Sequence, residues 1–193
     1  MNDNLNKMTT EELGKLFPVI IVDHNPEWAG MYLLEKQNIL KTIGPGLISR
    51  IEHIGSTAIP GLCAKPTIDI LIEIPENADC ELLISKLQKI QYQYIPKPEN
   101  PPPHIMLAKG YTKRGFSGQA FHIHVRYSGD WDEIVFRDFL INNPDIAREY
   151  GELKRRLSVE HVNDREKYTD GKSDFISGIV QIARRNHKGK IQT

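Results

Sequence analysis

The stretch of sequence that decides the fold is residues 51–73, which read IEHIGSTAIPGLCAKPTIDILIE. It predicts a strand, a turn at Gly55 and Ser56, and a second strand over 67–74. Glycine lets a ligand approach the main chain closely, so the backbone amides of this turn can face an anion. Asp69 would come up beside the turn on the neighbouring strand. The spacing therefore predicts a phosphate cradle with one metal-binding acid, the minimum arrangement for a magnesium-bound nucleotide.

Length and composition fit an ordinary globular protein. The chain has 193 residues with 25 Lys plus Arg against 25 Asp plus Glu, so its formal charge is zero. This balance gives no general attraction to nucleic acid, which we do not expect as a partner. The two cysteines, Cys63 and Cys80, are too few for a disulfide framework. No apolar stretch is long enough to span a bilayer, so we expect a cytoplasmic protein without a membrane partner.

Apolar spacing predicts mixed helices and strands, followed by a helical C-terminal third. We expect an N-terminal arm with a short helix over 1–17, a single domain over 18–187, and a disordered tail over 188–193. Within the domain, helices are predicted after Asn25-Pro26, over 78–90 and through 131–187, and a hairpin of strands is predicted over 104–127. This order predicts an α+β fold with a mixed sheet of four to five strands and helices mainly on one face.

Asp69 is the first candidate metal ligand. It lies between Ile68 and Ile70 in a run that should be buried, where an ionised carboxylate is costly unless it is paired or bound to metal. An acid that merely caps a neighbouring loop is the alternative interpretation. Alternation puts Leu71 and Glu73 on the same strand face as Asp69. Glu73 is nevertheless a poor partner, because four residues at ~3.3 Å each put it roughly 13 Å away.

The His122-Ile123-His124 segment is the second candidate cluster, because alternate strand positions project two imidazoles from one face. Such a pair can bind metal or supply a general base, but it can equally be a solvent-facing pair. No further Cys or His motif accompanies it, so a structural zinc site is not expected. His53 and His124 are the candidates for completing the site around Asp69, both as proton-handling groups and His124 also as a metal ligand.

Cationic residues supply candidate phosphate ligands. Lys65 follows the Gly-Ser turn, whereas Lys172 and Ser173 would lie in the first turn of a helix capped near Asp170. The amides and the dipole of a helix N-terminus favour an anion there. The remaining cations of the C-terminal helices, Lys154 among them, are interpreted as solvated helix faces.

Five segments of the chain carry a resemblance to a known family: IEHIGSTAIPG over 51–61, KPTIDI over 65–70, HIHVR over 122–126, FRDFL over 136–140 and YTDGKS over 168–173. Taken together they resemble the GrpB family, and the resemblance covers roughly residues 18–185. It implies a branch of the nucleotidyltransferase superfamily, whose sheet carries a Gly-Ser turn followed by an Asp-x-Asp or Asp-x-Glu strand that binds two magnesium ions. Some relatives occur joined to dephospho-CoA kinase, which indicates nucleotide-related metabolism.

For this chain the resemblance implies that Gly55 and Ser56, with Thr57 beside them, hold a triphosphate, and that Asp69 binds Mg²⁺. Leu71 occupies the place of the second acid and cannot bind an ion. The leading hypothesis is a Mg²⁺-dependent nucleotidyltransferase-like enzyme that moves a nucleotidyl group from a nucleoside triphosphate to a small-molecule acceptor. The alternative is a non-catalytic nucleotide- or coenzyme-binding module with a degenerate metal site. A histidine-assisted phosphohydrolase is a third possibility, and the sequence does not identify the base, the acceptor or the oligomeric state.

Overall fold

A computed structural model describes residue 5 and residues 8–96, 99–100 and 103–191 of the chain. Residues 1–4 and 6–7 of the predicted N-terminal arm, residues 97–98 and 101–102, and residues 192–193 of the predicted tail lie outside these residues. None of the helices in the described part is long and apolar enough to cross a membrane. The helices are α1 Thr10–Leu16, α2 Glu27–Ile43, α3 Cys80–Gln88, α4 Asp132–Asn142, α5 Pro144–Glu160, α6 Arg165–Asp170 and α7 Ser173–Ile191; the strands are β1 Arg50–Ile54, β2 Thr67–Ile74, β3 Gln93–Ile95, β4 Ile105–Thr112 and β5 Gly115–Tyr127.

The residues group into two compact units, and the single domain over 18–187 stays a prediction. The sheet unit contains Asn25–Ala58 and Thr67–Gly129, and the helical unit contains the rest of the chain. The division arises because the short segment Ile59–Pro66 belongs with the C-terminal helices. Its Ile59 packs in their apolar core, and its Ala64 forms a β-bridge with Val22.

The sheet unit is built on five strands in the order β1-β2-β5-β4-β3. Strands β2 and β5 are parallel, and the other neighbouring pairs are antiparallel. The predicted α+β class with a mixed sheet is therefore confirmed. Strand β3, which is only three residues long, carries too little alternation to be identified in the sequence.

One face of this sheet packs against helices α2 and α3. Along β2, Ile68 and Ile70 are completely buried on that face. The Tyr32 hydroxyl of α2 donates a hydrogen bond of 3.1 Å to the Ile51 carbonyl of β1, and Leu83 of α3 is also completely buried. Because successive side chains of a strand point to opposite faces, the face away from these helices carries Asp69.

The helical unit contains α1 and the helices α4 to α7. Its core includes Phe136 and Leu140 of α4, Tyr150 of α5 and Val180 of α7. The sequence predicted a helix capped near Asp170, but the short helix α6 ends at that residue and α7 begins at Ser173. Helix α7 continues to Ile191, so its backbone extends into the predicted tail.

Candidate functional site

Strand pairing brings one acid and two histidines to the same sheet face. Asp69 of β2 pairs with Ile54 of β1 on one side and with His122 of β5 on the other. Leu71, two residues further along β2, pairs with His124. Directly paired residues share a face of the sheet, and so do residues two apart along a strand. Both imidazoles therefore lie on the face of Asp69.

The three side chains form a compact cluster. The Oδ1 atom of Asp69 lies 3.3 Å from Nδ1 of His122 and 3.4 Å from Nε2 of His124. One ligand atom from each side chain lies within 4.8 Å of the other two. The Asp69 side chain is 29% exposed, so the cluster is reachable from solvent. Burial raises the pKa of the Asp69 carboxyl, but the hydrogen bonds and charges of His122 and His124 lower it more, and the net pKa lies well below its usual range.

A tyrosine that the sequence analysis did not single out fixes the orientation of one imidazole. The hydroxyl of Tyr111 and Nε2 of His122 form a hydrogen bond of 2.8 Å, and the two rings are stacked with centroids 5.5 Å apart. The register between β4 and β5 shifts between Lys109 and Tyr111, at Gly110, whose φ is +91°. Regular alternation would put Tyr111 on the face opposite Ala108, but across this irregularity its hydroxyl reaches His122, the residue that pairs with Ala108.

The Gly-Ser turn lies directly against Asp69. Gly55 has a φ of +71°, a backbone conformation that glycine adopts readily, and a 3₁₀ turn over Ser56–Ala58 follows it. A Cβ atom added at Gly55 would lie 2.5 Å from Oδ2 of Asp69. The absence of a side chain at Gly55 is therefore what lets the turn backbone and the carboxylate occupy neighbouring positions.

The two hydroxyls of the turn have different environments. Thr57 is buried, and its hydroxyl donates to the Thr67 carbonyl at 3.4 Å and lies 3.0 Å from Nε2 of His53. The hydroxyl is thus engaged within the protein, and the role of Thr57 in holding phosphate stays a prediction. Ser56 is half-buried, and its hydroxyl has no hydrogen-bond partner among the described residues. Ser56 is therefore the hydroxyl of the turn that a ligand can reach.

His53 is not brought to Asp69, although the sequence analysis placed it there. It pairs with Ile70, so strand alternation directs it to the helix-covered face of the sheet. Its ring stacks on Tyr32 of α2, with centroids 4.7 Å apart and an interplanar angle of 17°. The sequence placed His53 correctly in β1, but its face depends on a register that only the pairing with β2 defines.

The predicted phosphate-binding cations lie in the helical unit. The amino groups of Lys65 and Lys172 lie 5.3 Å and 4.3 Å from the ring centroid of the same residue, Tyr168. Ser173 is the first residue of α7, and the carbonyl of Lys172 accepts a hydrogen bond from the Ile176 amide. Lys172 therefore caps α7 rather than lying in its first turn, and the phosphate-binding role of Lys65, Lys172 and Ser173 stays a prediction.

Lys154 is only 2% exposed, so the expectation that it belongs to a solvated helix face is wrong. Its amino group donates to the Cys63 carbonyl and lies 4.8 Å from the centroid of Tyr150. Burial, together with the charges of Lys172 and Arg155, lowers the pKa of Lys154 to about 7. The signal was present in the sequence, because Lys154 continues the apolar stripe of α5 that Tyr150 begins at i and i+4 spacing.

The fold and the cluster define an α+β protein whose mixed sheet presents a histidine–aspartate site beside a glycine–serine turn. The chain belongs to the GrpB family, since the family description "GrpB protein" matches residues 18–181. It is similar to a solved GrpB protein from Enterococcus faecalis, with 31% identity and a TM-score of 0.74 over 87% of this chain and 99% of that one.

Two curated relatives extend the comparison. The chain is 39% identical to UPF0157 protein PA4798 of Pseudomonas aeruginosa over 163 residues, which is 83% of this chain. It is 33% identical to UPF0157 protein YqkA of Bacillus subtilis over 175 residues, which is 89% of this chain. The chain spans 65% and 49% of the lengths of these two relatives.

Proposed function

We propose that this protein is a metal-dependent, nucleotidyltransferase-like enzyme that transfers a nucleotidyl group from a nucleoside triphosphate to a small-molecule acceptor. The observation that carries the proposal is the contact between the Gly55 backbone and the Asp69 carboxylate. A phosphate at the turn and a metal ion on the acid would be neighbours, as a metal-bound triphosphate requires. The resemblance to nucleotidyltransferases, which have a Gly-Ser turn and a following acid, supports the same assignment.

The donor groups fit Mg²⁺ if the nucleotide brings the ion with it. Mg²⁺ is usually held by one or two carboxylates together with substrate phosphates, and it keeps several waters. Asp69 offers the carboxylate, and the turn at Gly55 and Ser56 offers amides and a hydroxyl to the phosphates. Bound there, Mg²⁺ would neutralise charge that develops on the phosphate oxygens.

In the proposed reaction a hydroxyl of the acceptor attacks the α-phosphorus of the nucleoside triphosphate. A new phosphorus–oxygen bond forms, the bond to the β-phosphate oxygen breaks, pyrophosphate leaves, and the acceptor proton passes to water. The turn at Gly55 and Ser56 orients the phosphates for this displacement. Amides directed at the phosphate oxygens stabilise the charge that builds up in the transition state.

One observation favours the non-catalytic alternative. Leu71 stands where the resemblance places a second acid, and it is 1% exposed, so a buried apolar side chain takes the place of a metal ligand. A nucleotide-binding module that lost one acid would keep the turn and Asp69 but catalyse no transfer. Leu71→Asp tests this alternative, because a module with a degenerate site should gain affinity for Mg²⁺ when the acid is restored. Ligand binding by the wild type without any product would favour the module.

The experiment is a thermal-shift screen of nucleoside triphosphates and coenzyme A precursors, each with and without Mg²⁺. We expect at least one triphosphate to raise the melting temperature in the presence of Mg²⁺, because a ligand that binds only the folded state stabilises it. Asp69→Asn should abolish the shift. Asp145→Asn is the matched control, since Asp145 is an exposed acid in the helical unit.

A hit from the screen is then incubated with the same nucleotide labelled at the α-phosphate. Appearance of labelled product with release of pyrophosphate would establish transfer. If no triphosphate binds in the presence of Mg²⁺ and none is chemically changed, both the enzyme and the binding-module proposals are wrong.

A further inference from the structure

We infer that Asp69, His122 and His124 form a resident site for a first-row transition-metal ion, such as Zn²⁺, Mn²⁺ or Co²⁺, in preference to Mg²⁺. The inference deepens the proposed function by assigning a second ion to the same sheet face. It rests on that function only for what the ion would do in a reaction. Binding of the ion depends on the three side chains alone.

The spacing of the ligand atoms suits one small ion. Zinc binds imidazole nitrogen and carboxylate oxygen at about 2.0–2.2 Å, which puts tetrahedral ligands about 3.3 Å apart. In the cluster, Oδ1 of Asp69 lies 3.3 Å from Nδ1 of His122 and 3.4 Å from Nε2 of His124. Two of the three ligand separations therefore already match, and the third lies within 4.8 Å.

The imidazole of His122 is oriented for this task. Its Nε2 is occupied by the hydrogen bond to the Tyr111 hydroxyl, and its Nδ1 faces Asp69. When Nε2–H donates to the tyrosine oxygen, Nδ1 presents a lone pair to an ion beside Asp69. A hydrogen bond to the far nitrogen is the usual way in which proteins fix the tautomer and rotation of a metal-binding histidine.

The chemical type of the donors selects the ion. Two nitrogens and one carboxylate oxygen suit Zn²⁺ and its first-row neighbours, whereas Mg²⁺ prefers an octahedral set of oxygens. His124 can also replace the second acid, whose place Leu71 occupies. It pairs with Leu71 on the adjacent strand, and its ring reaches Asp69 from there, so an imidazole stands in for the missing acid.

The two oxygens of Asp69 face different partners, which allows one acid to serve two ions. Oδ1 lies beside both imidazoles, while Oδ2 lies beside the backbone of Gly55. A resident transition-metal ion would take Oδ1, and Oδ2 would remain for the Mg²⁺ that accompanies a triphosphate at the turn. In this arrangement the single acid of the strand contributes to the binding of two ions.

Cobalt is the probe that tests the site directly. Protein without a histidine tag is treated with a chelator, desalted and titrated with Co²⁺, and the visible absorption and the heat of binding are recorded without nucleotide. We expect one Co²⁺ per chain, with the d–d bands of a nitrogen- and oxygen-bound ion and without a thiolate charge-transfer band. Zn²⁺ should displace Co²⁺ and Mn²⁺ should compete more weakly, while Mg²⁺ should require at least a hundredfold higher concentration.

Substitutions in the cluster locate the ion. His122→Asn, His124→Asn and Asp69→Asn should each weaken Co²⁺ binding at least tenfold. His161→Asn is the matched control because it removes an imidazole from the helical unit, and it should leave the affinity unchanged. Circular dichroism of each metal-free variant verifies that it is folded. If one variant of the cluster fails to fold, the other two still decide the result.

The outcomes separate this inference from the proposed function. Absence of stoichiometric Co²⁺ binding, equal binding of Mg²⁺, or full affinity in all three variants would overturn the inference. A Mg²⁺-dependent nucleotide shift that is lost in Asp69→Asn would still support the proposed function in that case. Conversely, Co²⁺ binding at the cluster together with no nucleotide response would uphold the metal site and overturn the proposed function.

Discussion

Asp69 in the sheet unit is 29% exposed, and Lys154 in the helical unit is 2% exposed. The two charged groups are compensated in opposite ways. Asp69 is flanked by two imidazoles, whose hydrogen bonds and charges lower the pKa of its carboxyl. Lys154 donates to one backbone carbonyl and lies over one aromatic ring, and no carboxylate pairs with it within the described part of the chain. Asp69 is therefore a charged group with complementary side chains around it, and Lys154 is one without them.

The two environments teach what a buried charge needs. An isolated ammonium group inside a protein is expensive, and the protein lowers the cost by making the neutral form easier to reach. The pKa of about 7 for Lys154 expresses that response. Asp69 instead stays ionised, because the hydrogen bonds and charges of the two imidazoles lower its pKa. A ligand site is therefore better indicated by complementary donors around a charge than by burial of the charge itself.

The largest effect is expected from Gly55→Ala, because the added methyl group would force the turn backbone and the Asp69 carboxylate apart. The new Cβ would lie 2.5 Å from Oδ2 of Asp69, and alanine is also strained at a φ of +71°. We expect at least a hundredfold loss of Co²⁺ or nucleotide affinity and a loss of about 2–4 kcal/mol in the free energy of unfolding. Chemical denaturation and ligand titration measure the two quantities.

Gly61→Ala is the matched control for this prediction. Gly61 has a φ of +75°, but a Cβ atom there would meet nothing within 4 Å. The control should show only the backbone strain, about 1–2 kcal/mol, with unchanged ligand affinity. Equal effects of the two substitutions on affinity would mean that Gly55 acts through strain rather than through its contact with Asp69.

The next largest effect concerns Lys154 and the dependence of the free energy of unfolding on pH. Folding lowers the pKa of Lys154 from 10.5 to about 7, so between these values the unfolded chain binds more protons, and the free energy of unfolding rises with pH. Lys154→Met removes this titration. The variant should be more stable than the wild type by about 2–3 kcal/mol at pH 6, and the difference should narrow toward pH 10.

Urea denaturation at several pH values measures the difference in stability. Lys41→Met, at an exposed position of α2, is the control and should leave the pH dependence of the wild type unchanged. A wild type that is more stable than Lys154→Met at pH 6 would show that the ammonium group is compensated after all, and the contrast with Asp69 would then fail.

Local patterns predicted much of the sheet unit, because its elements are marked by nearby residues. Strand β2, helix α3 and the turn at Gly55 all follow from short-range spacing and side-chain chemistry. The orientation of Tyr111 could not be predicted, since it depends on a register shift between Lys109 and Tyr111 that exists only when β4 and β5 pair. The family resemblance supplied the expectation of a nucleotidyltransferase-like fold, which spacing alone would not name.

In the helical unit the cationic composition of α5 hid its periodicity. Lys154 was interpreted with Arg155 and Arg156 as one solvated face, although these three consecutive positions point in different directions around a helix. Residues at positions 147, 150, 151 and 157 of the same helix are buried, so position 154 lies on the inner face. A lysine on an apolar stripe is therefore better judged by its helical phase than by the charge of its neighbours.

A smaller effect is expected from a substitution next to the Asp69 cluster. Tyr111→Phe keeps the ring stacked on His122 but removes the hydroxyl that fixes the imidazole. We expect Co²⁺ affinity to fall by about tenfold, whereas the stability of the metal-free protein should change by less than about 1 kcal/mol. Tyr94→Phe, in β3, is the control for loss of a hydroxyl. A loss of stability without a change in Co²⁺ affinity would make Tyr111 a packing residue only.

The substitution with the smallest expected effect tests whether strand alternation keeps His53 away from the cluster of Asp69, His122 and His124. His53→Phe keeps an aromatic ring on Tyr32 but removes the nitrogen that lies 3.0 Å from the Thr57 hydroxyl. Because His53 pairs with Ile70 and lies on the opposite face from Asp69, Co²⁺ affinity should not change, and the free energy of unfolding should fall by about 0.5–1 kcal/mol. A tenfold loss of Co²⁺ affinity in the folded variant would place His53 within reach of the site and contradict the face assignment on which the comparison depends.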